Sequence, residues 1–66
     1  MKKIIDSHKN AAKYLEAAAK LHHEAAKHHE AGNHDKAHKN TIKANGNTAH
    51  AVEAQNEILR YHATII

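Results

Sequence analysis

The chain has 66 residues, with ten Lys and Arg, seven Asp and Glu and nine His, so that its formal net charge is +3 and its isoelectric point is near 9.3. A chain of this length forms one small domain, here residues 1–66, with a limited core. It has no cysteine, which excludes disulfides and thiolate metal sites. Most of its apolar residues are alanines, which bury little area. We therefore predict that self-association or a bound metal completes the fold.

The beginning of the chain predicts neither a secretory leader nor a membrane span. Residues 1–5 are basic and then apolar, but the polar residues 6–10 follow directly, so no apolar core of signal-peptide length is present. We expect a cytoplasmic protein without a membrane partner, although a leader that had been removed would leave no trace here. Asp6 or Ser7 is a candidate cap for a first helix over about residues 6–31.

Residues seven apart in the first helix share the same chemistry. Four adjoining rows carry alanine, leucine, tyrosine and histidine, namely His8, Leu15, His22 and His29; Ala11, Ala18 and Ala25; Ala12, Ala19 and Ala26; and Tyr14, Leu21 and His28. Lysines occupy the opposite side of the helix. This pattern predicts an amphipathic helix with one wide buried stripe, in which His8, His22 and His29 occupy places where leucine is usual.

Gly32 and Asn33 predict a turn, because Gly favours the left-handed residue after a helix and Asn caps the next helix. A second helix is predicted over about residues 34–64. Its apolar rows are Ala37, Ala44, Ala51, Ile58 and Ile65 in the centre, with Thr41, Thr48, Gln55 and His62 on one side and Val52, Leu59 and Ile66 on the other. The segment Asn45-Gly46-Asn47 is either a turn, which gives three helices, or part of one helix. Because the rows pass through it in phase, we favour one helix.

These elements predict an all-α fold, an antiparallel helical hairpin that dimerises into a four-helix bundle. Pairing the helices about Gly32 places His29 near Ala37 and His22 near Ala44. In architecture, this arrangement resembles the small dimeric hairpin bundles such as the plasmid copy-number regulator Rop.

The segment from His22 to Ala37, HHEAAKHHEAGNHDKA, also resembles a group of short His-rich bacterial proteins of uncharacterised function. Their repeat is His-His-Glu-Ala-Ala-Lys-His-His-Glu-Ala-Gly, followed by an Asx, a polar residue and Lys-Ala. The match covers about a quarter of the chain. The resemblance implies a helical hairpin and no activity.

Four histidines near the turn, His28, His29, His34 and His38, predict a site for a divalent transition metal such as zinc, copper or nickel. Imidazole is a good ligand for these ions, and His34 and His38 stand one helical turn apart. The main hypothesis is therefore a non-enzymatic protein that binds or buffers such a metal.

The competing hypothesis is a structural or protein-interaction module. In it, His8, His22 and His29 hydrogen-bond within the core and set the register of the helices. Because a buried imidazole is more stable neutral than protonated, this hypothesis predicts an assembly that weakens between about pH 6.5 and pH 5.

Other classes of function lack their motifs. No His-Glu-x-x-His, Gly-rich phosphate loop or Glu-x-x-His pair occurs, so we expect no enzyme. No Cys-x-x-Cys-His occurs and few large apolar residues are available to line a porphyrin, so we expect no haem. Acidic residues alternate with the lysines, so we expect no nucleic-acid partner.

Overall fold

The computed structural model describes residues 2–65, apart from the side chain of Ile65, and consists of two helices joined by a short turn. Helix α1 spans Lys2–Glu30 and helix α2 spans His34–Ile65. They pack side by side in a hairpin of 51 × 14 × 12 Å. The predicted all-α hairpin is confirmed, whereas the expected places of Ile65 and Ile66 in the apolar rows lie outside the described side chains. Within residues 2–65, no helix is both apolar enough and long enough to cross a membrane.

Helix α1 begins at Lys2, not near Asp6, so the prediction that Asp6 or Ser7 caps it is wrong. The additional turn forms because it has residues to pack against α2. Ile4 is buried, and so is Ser7, whose hydroxyl donates a 3.1 Å hydrogen bond to Oε2 of Glu57. Burial of an isoleucine side chain contributes on the order of 1–3 kcal/mol, which is at least as much as a helix cap.

The turn between the helices has the hydrogen bonds of a Schellman motif. The N–H of Asn33 donates to the carbonyl of His28 at 2.7 Å, and the N–H of Gly32 donates to the carbonyl of His29 at 3.0 Å. Gly32 has φ = +80°, the left-handed conformation that was expected of it. The carbonyl of Asn33 then accepts the N–H of Ala37 at 3.1 Å and so begins α2.

Helix α2 continues without interruption through Asn45-Gly46-Asn47, which confirms the prediction of one helix. Polar side chains in this region bond back to their own helix. The hydroxyl of Thr48 donates to the carbonyl of Ala44 at 3.0 Å, and the amide of Asn47 donates to the carbonyl of Lys43 at 3.1 Å. These side chains are therefore compatible with a helix despite their preference for turns.

The helices meet along a row of small residues that we call the alanine seam. It consists of Ile4, Ala11, Ala18 and Ala25 from α1 and Ala37, Ala44, Ala51 and Ile58 from α2. The three seam alanines of α2 are 0% exposed. The predicted burial of the alanine row of α1 and of the central row of α2 is thereby confirmed.

A second row of contacts runs along one side of the seam. It consists of Ser7, Tyr14, Leu21 and His28 from α1 and Asn40, Asn47, Ala54 and Tyr61 from α2, all buried or half-buried. The α2 part of this row was not predicted, because two of its four members are asparagines. Among the described residues, the buried Nδ2 of Asn40 finds no hydrogen-bond partner, so this row contributes less stability than an apolar row would.

The other half of the predicted stripe is exposed to solvent, which corrects the expectation of a wide buried surface. In α1 the exposed rows are His8, Leu15, His22 and His29, and Ala12, Ala19 and Ala26. In α2, Val52 and Leu59 are 45% and 67% exposed. The reason is geometric, because one neighbouring helix covers only two adjoining rows of a helix and the remaining apolar rows need a further layer.

Replacement of either glycine by alanine should change the stability of the hairpin, in opposite directions at the two positions. A Cβ added at Gly46 meets nothing within 4 Å, whereas Gly32 has a positive φ. Gly46→Ala should therefore stabilise the hairpin by about 1 kcal/mol and raise Tm by roughly 4–8 °C. Gly32→Ala should lower stability by about 1 kcal/mol, because alanine is strained in the left-handed region. Thermal unfolding followed by circular dichroism measures both, and a Gly46→Ala variant that melts below the wild type would contradict the continuous exposed helix.

Candidate functional site: the turn-end histidines and the uncharged face

The turn brings His29 and His34 into direct contact. His29 lies in the last turn of α1, and His34 is the first residue of α2. Their Nδ1 atoms are 2.7 Å apart, and their ring centroids are 4.9 Å apart at an interplanar angle of 39°. Both residues are exposed, so an ion from solvent has access to this pair.

The short distance between the two Nδ1 atoms requires one hydrogen between them. A neutral imidazole carries its hydrogen on one nitrogen and a lone pair on the other. One Nδ1 must therefore donate while the other accepts, since two lone pairs or two N–H groups at 2.7 Å would repel. The ring that donates therefore keeps a free lone pair on Nε2. If that ring moves its hydrogen from Nδ1 to Nε2, the Nδ1 lone pairs of both rings become free.

The other two predicted metal ligands do not join this pair. His28 is half-buried in the contact row beside the seam, because successive helical residues point about 100° apart. His38 is exposed one turn after His34. In the part of the chain that the structure describes, no three His, Asp or Glu side chains converge in an arrangement that holds a metal. One chain therefore offers two adjacent ligands rather than four.

Charged side chains avoid one broad side of the hairpin. All ten Lys and Arg and all seven Asp and Glu lie outside the rows that adjoin the alanine seam on the side of His29 and His34. These adjoining rows share one side of the hairpin because the two helices run in opposite directions and their seam residues face each other. We call this side the uncharged face.

The uncharged face contains seventeen residues. They are Ile5, His8, Ala12, Leu15, Ala19, His22, Ala26 and His29 from α1 and His34, His38, Thr41, Asn45, Thr48, Val52, Gln55, Leu59 and His62 from α2. All of them are exposed except the half-buried Thr41. Six of the nine histidines of the chain are among them.

The two halves of the uncharged face differ in chemistry. The half near the turn carries imidazoles, alanines and small polar side chains. The half near the chain ends carries four large exposed apolar residues, Ile5, Leu15, Val52 and Leu59. This half also carries the uncharged polar residues His8, Gln55 and His62. The large apolar residues of the uncharged face are therefore confined to the half near the chain ends, among uncharged polar ones.

Another histidine contact lies on the opposite side of the seam. The ring of His50 stacks on Tyr14 with centroids 5.0 Å apart and an interplanar angle of 28°. Nδ1 of His50 is also 3.8 Å from Oε2 of Glu53. The sequence rows place Tyr14 beside the seam, but His50 belongs to a row of Lys and Glu residues. Nothing in the sequence pattern singled it out.

Comparison with models of protein families, with curated proteins and with solved structures gives no match. The geometry of the hairpin and the chemistry of its surface therefore carry the functional argument.

The contact between His29 and His34 predicts the tautomers of both rings. Near pH 8, long-range ¹H–¹⁵N NMR should show Nδ1–H on one ring of the pair and Nε2–H on the other, because they share one hydrogen. His23, exposed on the outward side of α1, serves as the internal reference. Nε2–H tautomers on both His29 and His34 would leave two lone pairs facing each other and would contradict the contact.

Proposed function

We propose that this chain is a non-enzymatic, self-associating helical hairpin that packs its uncharged face against the same face of a second copy. The resulting dimer is a four-helix bundle. The observation that supports this proposal most strongly is the exclusion of every charged side chain from a face that also exposes four large apolar residues. The core of a protein interface is likewise depleted of charge.

The size of the face suits a dimer. Its outline of 51 × 14 Å corresponds to roughly 700 Å², and each partner in an interface of standard size buries about 800 Å². Alanine at positions 12, 19 and 26 permits close approach of a second pair of helices. A dimer about a two-fold axis uses the same face on both copies, so this face has to be complementary only to itself.

The polar residues of the face are compatible with burial. The hydroxyls of Thr41 and Thr48 already donate to carbonyls of their own helix at 3.0 Å, so burying them leaves no unpaired donor. Imidazoles can be both donors and acceptors toward a second copy while they are neutral. Acidification should therefore weaken the dimer, since protonated imidazoles favour water. A cytoplasmic location stays a prediction of the sequence.

A charge at Leu59 tests the proposal against a matched control. Leu59 is 67% exposed on the uncharged face, and Ile42 is 58% exposed on the outward side of α2. Leu59→Glu should weaken dimerisation by roughly a hundredfold or more, because the two-fold axis places two buried charges in one interface. Ile42→Glu should leave the dimerisation constant unchanged.

Sedimentation equilibrium measures both variants beside the wild type, and circular dichroism confirms that each remains helical. Equal dimerisation of the two variants would exclude the uncharged face as the interface. A wild-type chain that is monomeric at every concentration tested would overturn the proposal altogether.

A second candidate function is the binding of zinc, copper or nickel at the turn. The contact between the Nδ1 atoms of His29 and His34 favours it, since this pair needs only a small opening to accept an ion. Metal buffering by a His-rich chain of this kind needs no catalytic group. The two candidates are compatible, because the metal ligands lie at the turn end of the uncharged face.

Zinc titration against a chromogenic chelator tests this second function. The wild type should compete with the chelator, and His29→Ala with His34→Ala should lose at least about tenfold in affinity because both ligands are gone. His23→Ala removes one imidazole from the outward side of α1 and should bind as the wild type does. Equal affinity of all three proteins would remove the turn as a metal site.

A further inference from the structure

One chain presents half of a zinc site at the turn. Structural zinc takes four ligands, and no third His, Asp or Glu of the described residues joins His29 and His34. Two imidazole nitrogens at about 2.0–2.1 Å from a tetrahedral zinc ion lie roughly 3.3 Å apart. The Nδ1 atoms of His29 and His34 are 2.7 Å apart on exposed side chains, so a small opening of the pair reaches this separation.

The distribution of apolar residues on the uncharged face favours one orientation of a second copy. If both turns lie at the same end of the dimer, the apolar halves with Ile5, Leu15, Val52 and Leu59 face each other and exclude water. If the copies run in opposite directions, these residues face the imidazoles and alanines near the partner's turn. The first arrangement buries more apolar surface against apolar surface.

We infer that a zinc-class ion binds on the two-fold axis of a dimer with both turns at one end, held by the Nδ1 atoms of His29 and His34 from each of two copies. This inference rests on the proposed self-association through the uncharged face. The second copy supplies the two ligands that one chain lacks, and the set of four imidazole nitrogens satisfies tetrahedral zinc. Metal and assembly are therefore linked, since the ion binds the dimer more tightly than it binds the single chain.

When the ion binds, it replaces the hydrogen bond between the two Nδ1 atoms of each pair. The ring that donates through Nδ1 moves its hydrogen to Nε2, so that both Nδ1 lone pairs face the metal. Each ring remains neutral and keeps one N–H, directed away from the ion. When both rings start neutral, this exchange releases no proton.

The experiment combines zinc stoichiometry with sedimentation velocity, in EDTA and in zinc, for the wild type and the His34→Ala variant. The wild type should bind one zinc per two chains, and zinc should tighten its dimerisation by at least about tenfold. His34→Ala should lose the response to zinc, so that its own dimerisation constant is the same in EDTA and in zinc. His23→Ala, which changes an exposed histidine on the outward side of α1, should retain that response.

The orientation of the copies is measured with a spin label. The chain has no native cysteine, so Ala31→Cys places one nitroxide at an exposed position beside the turn. In the zinc-loaded dimer, the distance between the two nitroxides should be well below the 51 Å length of the hairpin. A distance near that length places the turns at opposite ends and overturns the bridged site.

The outcomes separate this inference from the proposed function. A dimer in EDTA that takes up one zinc per chain, with no change in its dimerisation, overturns the bridge and leaves self-association standing. A chain that is monomeric in EDTA and dimeric with one zinc per two chains supports the bridge and overturns metal-independent self-association. A chain that stays monomeric in both conditions overturns both.

Discussion

The alanine seam limits what this hairpin can achieve alone. Alanine methyl groups let two helices approach closely, and Ala37, Ala44 and Ala51 are completely buried between them. Each methyl group nevertheless contributes only about 0.8 kcal/mol. A domain of this size also buries a smaller fraction of its surface on folding than a larger domain does. Because one helix covers only two rows of the other, the leucine, valine and isoleucine side chains beside the seam remain in water. Their exposure is the physical reason to expect a second layer.

Charge is arranged around the hairpin in agreement with that expectation. The lysines and acids lie on the outward sides of both helices and beside the contact between Tyr14 and His50, where water solvates them. Histidine suits the uncharged face, because a neutral imidazole is polar but carries no charge into an interface. The same side chain is also a metal ligand. Self-association and metal binding therefore make use of the same property of the six histidines on the uncharged face.

The sequence rows predicted the hairpin, the left-handed Gly32, the continuous helix through Gly46 and the buried alanines, because each of these depends on local spacing. They did not predict the start of α1, which depends on Ile4 reaching α2. Nor did they predict which rows one helix covers, since a period of seven identifies apolar rows without naming their neighbour. At the site, the rows placed four histidines near the turn. The contact of His29 with His34, and the separation of His28 and His38 from it, depend on the bond pattern of the turn and on side-chain directions.

If the uncharged face needs a second copy to complete the fold, thermal unfolding must depend on the protein concentration. If folding is coupled to dimerisation, raising the protein concentration a thousandfold in EDTA stabilises the folded state by about 4 kcal/mol through mass action. We expect Tm to rise steadily over this range. A sharp transition whose Tm is the same at every concentration would show that the alanine seam is sufficient by itself and that no second copy is needed.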